Sequence, residues 1–197
     1  MTLLPEFFEA ARNIQVRFDD AKLGFCFIGG LSLQRWGEPR YTSDVDLTVA
    51  CRFGDEESVI SAIAAAIPPR LSDAIEFART RRVYLGKLGN IPIDASLGGT
   101  DFEARMIDGA SLFEFLPGVP LRTCPAEYLV AMKTIAGRGQ DWVDIENVLH
   151  RQFGKLDWPL IERELAPMLE LKGEPESLEK LRQCADKVER FVKLGSW

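Results

Sequence analysis

Between Ile28 and Leu47 the chain joins a glycine pair, Gly29-Gly30, to the alternation Asp44-Val45-Asp46-Leu47 thirteen residues further on, and few local structures accommodate both. The alternation reads as a strand. On an extended strand the side chains at i and i+2 point to one face with Cα atoms roughly 6.6 Å apart, so Asp44 and Asp46 present two carboxylates to one point. Anions held that close raise one pKa or recruit a cation. Hard oxygen ligands on a rigid strand suit Mg²⁺, which keeps several waters and bridges to substrate phosphates.

The surrounding pattern supplies the rest of the frame. Leu4, Phe7, Phe8, Ala11, Ile14, Phe18 and Ala21 form the apolar stripe of an amphipathic helix over residues 4–22. Phe25 to Ile28 reads as a buried strand, Leu31 to Trp36 as a short helix closed by Gly37, and Val45 to Ala50 as the next strand. The glycine turn and the two aspartates then share one end of a sheet. A helix over residues 55–66 opens on three acidic residues and stops at Pro68-Pro69, and the runs Val83–Leu88 and Ile91–Leu97 flank Gly89-Asn90 as a hairpin. Pro92 places the second arm at an edge or at a strand start.

A short helix at 101–107 and strands near 111–115 and 119–123 follow, and Pro125 opens a helix ending before Gly137. Helices over 141–152, 158–171 and 175–193 complete the chain. The order, mixed elements first and helices last, predicts an α+β (mixed α/β) fold. A catalytic domain over 1–124 carries a small mixed sheet flanked by helices, and a helical lobe over 125–197 forms the other wall of a cleft.

Composition narrows the chemistry. Four cysteines without a CxxC pair and a single histidine, His150, leave no material for a zinc centre, a disulfide framework or a His-based triad. No apolar stretch approaches the roughly 18 residues of a membrane span, and the N-terminus lacks the basic and apolar regions of a secretory signal, so a cytoplasmic protein without a membrane partner is expected. A net charge of −6 argues against a surface broadly adapted to nucleic acid. Two local basic groups remain, Arg79, Arg81, Arg82 and Lys87, and Lys133 with Arg138, each readable as a solvated face or as a phosphate-facing one.

Two-metal phosphoryl transfer needs three carboxylates, and Asp94 in the run Ile-Pro-Ile-Asp-Ala completes the count. An isolated aspartate among apolar neighbours is otherwise a costly desolvated charge, unless it lies at a strand end in solvent. Glycines at a strand-to-helix turn let the backbone approach phosphate closely and aim amides at it, and Ser32 adds a hydroxyl. Lys133 is a long cationic stem on a helix after the sheet. Asp141 and Asp144 lie one turn apart at a helix start, where acidic residues also serve as caps.

The glycine pair, the Asp-x-Asp strand and the distant third aspartate resemble the DNA polymerase β-type nucleotidyltransferase superfamily. More narrowly, Gly29-Gly30-Leu-Ser-Leu-Gln-Arg-Trp-Gly37-Glu-Pro-Arg40-Tyr-Thr42-Ser43-Asp44-Val-Asp46 is similar to the AbiEii-type toxin nucleotidyltransferases, and so is the Pro125 to Asp144 segment with its lysine, arginine and aspartate. The resemblance implies Asp44, Asp46 and Asp94 as catalytic metal ligands, and Gly29, Gly30, Ser32 and Lys133 as nucleotide-binding residues. Thr42, Ser43, Arg138 and Asp141 are further site candidates. Gln140 stands where a basic residue is frequent in those relatives.

The implied activity moves a nucleoside monophosphate from an NTP to an acceptor hydroxyl with two Mg²⁺ ions, or Mn²⁺ in their place. The implied acceptor is RNA, a tRNA 3′ end, with an antitoxin protein as silencing partner. Two alternatives stay open: a small molecule or protein as acceptor, and a nucleotide-binding sensor that has lost catalysis. The presence of all three carboxylates weighs against the sensor.

Overall fold

The computed structural model describes residues 5–195, so Leu4 of the first helical stripe lies outside the described residues. Two compact units are present: one comprises the chain up to Leu31 together with Tyr41–Cys124, and the other comprises Ser32–Arg40 and the chain from Pro125 onward. The second unit therefore takes in a short stretch from the glycine-rich region as well as the C-terminal helices.

The first unit is built on a six-stranded mixed sheet. Its strands are β1 (Phe25–Phe27), β2 (Val45–Ala50), β3 (Val83–Leu88), β4 (Ile91–Gly98), β5 (Ser111–Leu116) and β6 (Val119–Thr123), in the spatial order β3-β4-β2-β1-β6-β5. β1 runs antiparallel to β2, so the end of β1 and the start of β2 meet at one end of the sheet. β4 lies parallel to β2 in a register that sets Asp94 directly beside Asp46. Pro92 sits at the start of β4, before its ladder with β2 begins at Ile93, so the missing N–H interrupts none of the β2 pairing.

Burial explains why these strands hold their register. Phe25, Phe27, Leu47, Val49, Ile93 and Ala95 are buried together with Ala11, Ile14 and Phe18 of α1 (Glu6–Asp20). Phe25 stacks edge-on against both Phe18 and Phe27, with ring centroids 5.3 and 5.6 Å away. Each of the Phe, Leu, Ile and Val side chains contributes about 1.5–3 kcal/mol by leaving water, and a one-residue slip of β2 would turn its apolar set out of the core.

Helices α2 (Gly29–Trp36), α3 (Glu56–Ala66) and α5 (Asp101–Asp108) fall where the sequence pattern puts them, α2 starting on the glycine pair itself. α5 is fixed by a capping box in which Thr100 accepts from the Glu103 N–H and Glu103 accepts from the Thr100 N–H.

The helix α4 (Ala74–Arg81) was not anticipated by pattern, because its buried face consists only of Ala74 and Ala78. It ends on Arg82 in the left-handed region, φ 54°, which costs a non-glycine residue about 1 kcal/mol. The Arg82 guanidinium offsets that strain by donating to Glu56, to the Cys51 and Leu97 carbonyls, and by lying over the Phe53 ring at 4.5 Å.

In the second unit α6 (Ala126–Ala136), α7 (Gly139–Arg151), α8 (Trp158–Lys172) and α9 (Glu176–Lys193) bury Ile145, Val148, Ile161, Leu165, Leu169, Leu181 and Val188. α6 and α8 stop at Gly137 and Gly173, both with positive φ, as left-handed C-caps require. Arg151 and Gln152 donate to the carbonyls of Gly37 and Trp36, tying the short 32–40 segment to the end of α7. Among the described residues no helix is long and apolar enough to cross a membrane.

Candidate functional site

Asp44 immediately precedes β2, Asp46 is the second residue of β2, and Asp94 is its neighbour on β4. One carboxylate oxygen from each lies within 4.8 Å of the others, and all three side chains are partly exposed. Among the described residues this is the group of acidic, histidine or cysteine side chains that can hold a metal ion together. Burial raises the Asp94 pKa and the Asp44 charge adds to it, while Arg70 pulls in the other direction without cancelling the rise. The donor set is all oxygen, anionic and open to solvent. That chemistry fits a hard divalent ion such as Mg²⁺ or Mn²⁺ and does not fit a thiolate- or imidazole-seeking one.

The glycine pair is shaped to these aspartates. Gly29 has φ 55°, and a Cβ on it would overlap the Asp46 carboxylate, while a Cβ on Gly30 would come within 2.7 Å of the Thr42 Cβ. The Ile28 N–H donates to the Asp46 carbonyl at 3.0 Å, locking the turn to the strand. Thr42 in turn donates its hydroxyl to Asp44 Oδ1 at 3.0 Å, which orients that carboxylate. Ser43 is exposed in the bend before β2, and Ser32, one turn into α2, is fully buried.

One participant escaped the sequence reading. Arg70 donates from Nη2 to Asp94 Oδ1 at 2.8 Å. Its only sequence signal is a basic residue after Pro68-Pro69, which nothing links to an aspartate on another strand. In the basic group after α3, Arg79 is bound to Glu57 at 2.6 and 2.8 Å, and Arg82 to Glu56.

In the second unit Lys133 is 7 % exposed and donates to Asp144 at 2.6 Å and Asp141 at 3.2 Å. Arg40 pairs with both Asp144 oxygens at 3.0 and 3.1 Å, Gln140 donates to Asp144 at 3.0 Å, and Arg138 donates to Asp141 at 2.6 Å. Three cations thus meet two carboxylates. Burial raises the pKa of Asp141 and Asp144, but the bonds from Arg138 and Lys133 to the first, and from Arg40, Lys133 and Gln140 to the second, outweigh it and hold both low. Asp141 also accepts the Arg138 backbone N–H at 3.3 Å, the capping role its position suggests. Asp144 is no mere cap: it is fully buried and gathers the other three side chains.

No curated protein matches the chain in sequence. Among solved structures it is similar to the antibiotic-resistance factor ANT(2'')-Ia in solution, with 19% identity over 93% of this chain and 91% of that one and a TM-score of 0.41. The crystal structure of ANT(2'')-Ia in complex with adenylyl-2''-tobramycin gives 16% identity over 91% and 95%, with a TM-score of 0.42. An antigenic nucleotidyltransferase-like protein from Paracoccidioides brasiliensis gives 11% identity over 98% and 93%, with a TM-score of 0.46. The family described as "Nucleotidyl transferase AbiEii toxin, Type IV TA system" matches residues 16–190, a span that takes in the glycine turn, all three carboxylates and the Lys133 cluster. The chain is therefore a nucleotidyltransferase and belongs to the AbiEii toxin family.

Proposed function

We propose that the protein transfers a nucleoside monophosphate from an NTP to an acceptor hydroxyl, with Asp44, Asp46 and Asp94 as the ligands of divalent metal ions. The observation that carries this reading is the convergence of three carboxylates from two parallel strands beside a glycine turn that admits no side chain. Bound Mg²⁺ or Mn²⁺ would lower the acceptor's pKa and neutralise the leaving pyrophosphate. Thr42 keeps Asp44 oriented, and the Gly29 and Gly30 backbone gives the triphosphate close access to main-chain amides.

We assign the transfer chemistry to residues 1–124 and a supporting role to the helical lobe, 125–197. In this reading Lys133 holds the phosphate tail, and Ser32 adds a hydroxyl to the glycine turn that holds the triphosphate. The family description supports a toxin held in check by an antitoxin, and we take a tRNA 3′ end as the first acceptor to test. A small-molecule or protein acceptor is the second reading. It is favoured by the net charge of −6 and by the ion-pairing of Arg79 and Arg82, which leaves that basic group little free charge for RNA.

The test is incubation with each α-labelled NTP, Mg²⁺ and total tRNA beside the Asp44→Asn/Asp46→Asn double variant. Label reaching RNA with the wild type alone supports the first reading and names the donor. Labelling of protein or of an added aminoalcohol, with RNA unlabelled, supports the second. NTP binding without any transfer, unchanged in the double variant, would leave a sensor and overturn both.

A further inference from the structure

Four neighbouring segments of the first unit align one residue each along a single row. β2 contributes Asp46, β4 contributes Asp94 and β3 contributes Leu85, paired in that register. The chain after α3 then crosses the outer side of β3: the Lys87 N–H donates to Pro68, Pro69 bridges Gly86, and the Arg70 N–H donates to Leu85, both hydrogen bonds being 2.9 Å. Arg70 thus closes the row that starts at Asp46, and its side chain reaches back over Leu85 to Asp94 Oδ1 at 2.8 Å.

The crossing depends on glycine. A Cβ at Gly86 would overlap the Ile67 side chain and lie 3.0 Å from the Pro68 carbonyl oxygen, so a larger residue would lift the 67–70 segment off β3 and take Arg70 with it. Tyr84, buried on the same strand, donates its hydroxyl to the Ile67 carbonyl at 2.8 Å and pins the start of the crossing. An arginine held by backbone bonds at its base and by a carboxylate at its tip is not a loosely solvated side chain. Both partners of the pair are about one-third exposed, 32% and 33%, so water and ions reach it.

We propose that Arg70 is a positioning residue of the transfer site, a built-in cation that shares the Asp94 carboxylate with the divalent ion and so sets the charge the ion meets. The proposal rests on the metal-dependent reading above. Three carboxylates carry three negative charges, and Arg70 cancels one, leaving a site whose charge is matched by a single divalent ion. A further ion then has to arrive with the nucleotide, whose phosphates bring their own negative charge. Arg70 in this way keeps the nucleotide-free site from binding metal as tightly as three bare carboxylates would.

The experiment is calorimetric titration of the nucleotide-free full chain with MnCl₂, comparing wild type, Arg70→Gln and Arg70→Lys, with folding verified by circular dichroism and the Asp44→Asn/Asp46→Asn variant as control. Arg70→Gln is expected to tighten Mn²⁺ binding by about three- to tenfold, the effect of removing one nearby unit charge in a partly solvated site. Arg70→Lys, which keeps the charge, is expected to stay near wild type. Equal Mn²⁺ affinity in wild type and Arg70→Gln, weaker binding in Arg70→Gln, or an Arg70→Lys that behaves like Arg70→Gln would each overturn the proposal while leaving the carboxylate site standing. Wild type that binds no Mn²⁺ would overturn both this proposal and the metal-dependent reading.

Discussion

Gly29 lies against Asp46 so closely that a Cβ on the glycine would come within 2.8 Å of the aspartate's carboxylate carbon, and its φ of 55° is one that L side chains rarely adopt. Gly29→Ala should therefore cost about 1–2 kcal/mol of stability through backbone strain. Displacing Asp46 should do more harm to transfer than to folding, lowering kcat by about a hundredfold or more. Urea unfolding and a nucleotidyl-transfer assay on the same preparation separate the two effects, and an alanine variant with full activity would contradict the close fit.

Chelation gives a second expectation. With Asp44, Asp46 and Asp94 as the metal ligands, EDTA abolishes transfer and added Mg²⁺ or Mn²⁺ restores it. Asp44→Asn keeps the fold, since that side chain lies outside the apolar core, yet loses on the order of a thousandfold or more in kcat. Activity that survives exhaustive chelation would remove the metal from the reaction.

The Lys133–Asp144 pair should reveal itself in stability. Both side chains are almost fully buried, at 9% and 1% exposure, and removing Asp144 leaves Lys133 with Asp141 alone while taking the carboxylate away from Arg40 and Gln140. Asp144→Ala is expected to destabilise the protein by about 3–5 kcal/mol. The Lys133→Met/Asp144→Leu double variant should lose clearly less than the sum of its single changes. Additive losses in denaturant titrations would mean the pair is not coupled.

Acid should weaken the same cluster in a defined window. Asp141 and Asp144 have folded-state pKa values below those of the unfolded chain, so the unfolded state binds protons first. Their contribution is complete above the unfolded value of about 3.9 and is lost as pH falls through the lower folded values. Stability of the wild type should drop steeply below about pH 4, and the Asp141→Asn/Asp144→Asn variant should show a flatter profile there. Parallel profiles would place the acid sensitivity elsewhere.

Local signals carried much of the fold. Val45–Ala50 and the hairpin around Gly89-Asn90 alternate and turn in ways that need no tertiary context, and the glycine-ended helices of the second unit announce their stops. α4 was hidden because two alanines make a weak apolar stripe, so its helix depends on packing rather than on pattern. The three aspartates were legible by type and spacing. Arg70 was not, because its link to Asp94 passes through a bridge between Pro69 and Gly86 that only the folded sheet creates. Asp144 looked like a helix cap for a similar reason: the pattern around it gives no sign of the fully buried position in which Lys133, Arg40 and Gln140 meet it.

The two parallel pairings have a consequence for the order of folding. β2 waits for β4 and β1 waits for β6, with Phe27 meeting Thr123 across almost the whole first unit. Contacts so distant in sequence must bear their loop-closure entropy before any burial rewards it, which makes such topologies slow to form. Asp94 cannot stand beside Asp46 until β4 has been synthesised and docked. The carboxylate group therefore assembles late, and a nascent chain shorter than β4 has no complete site to do chemistry with.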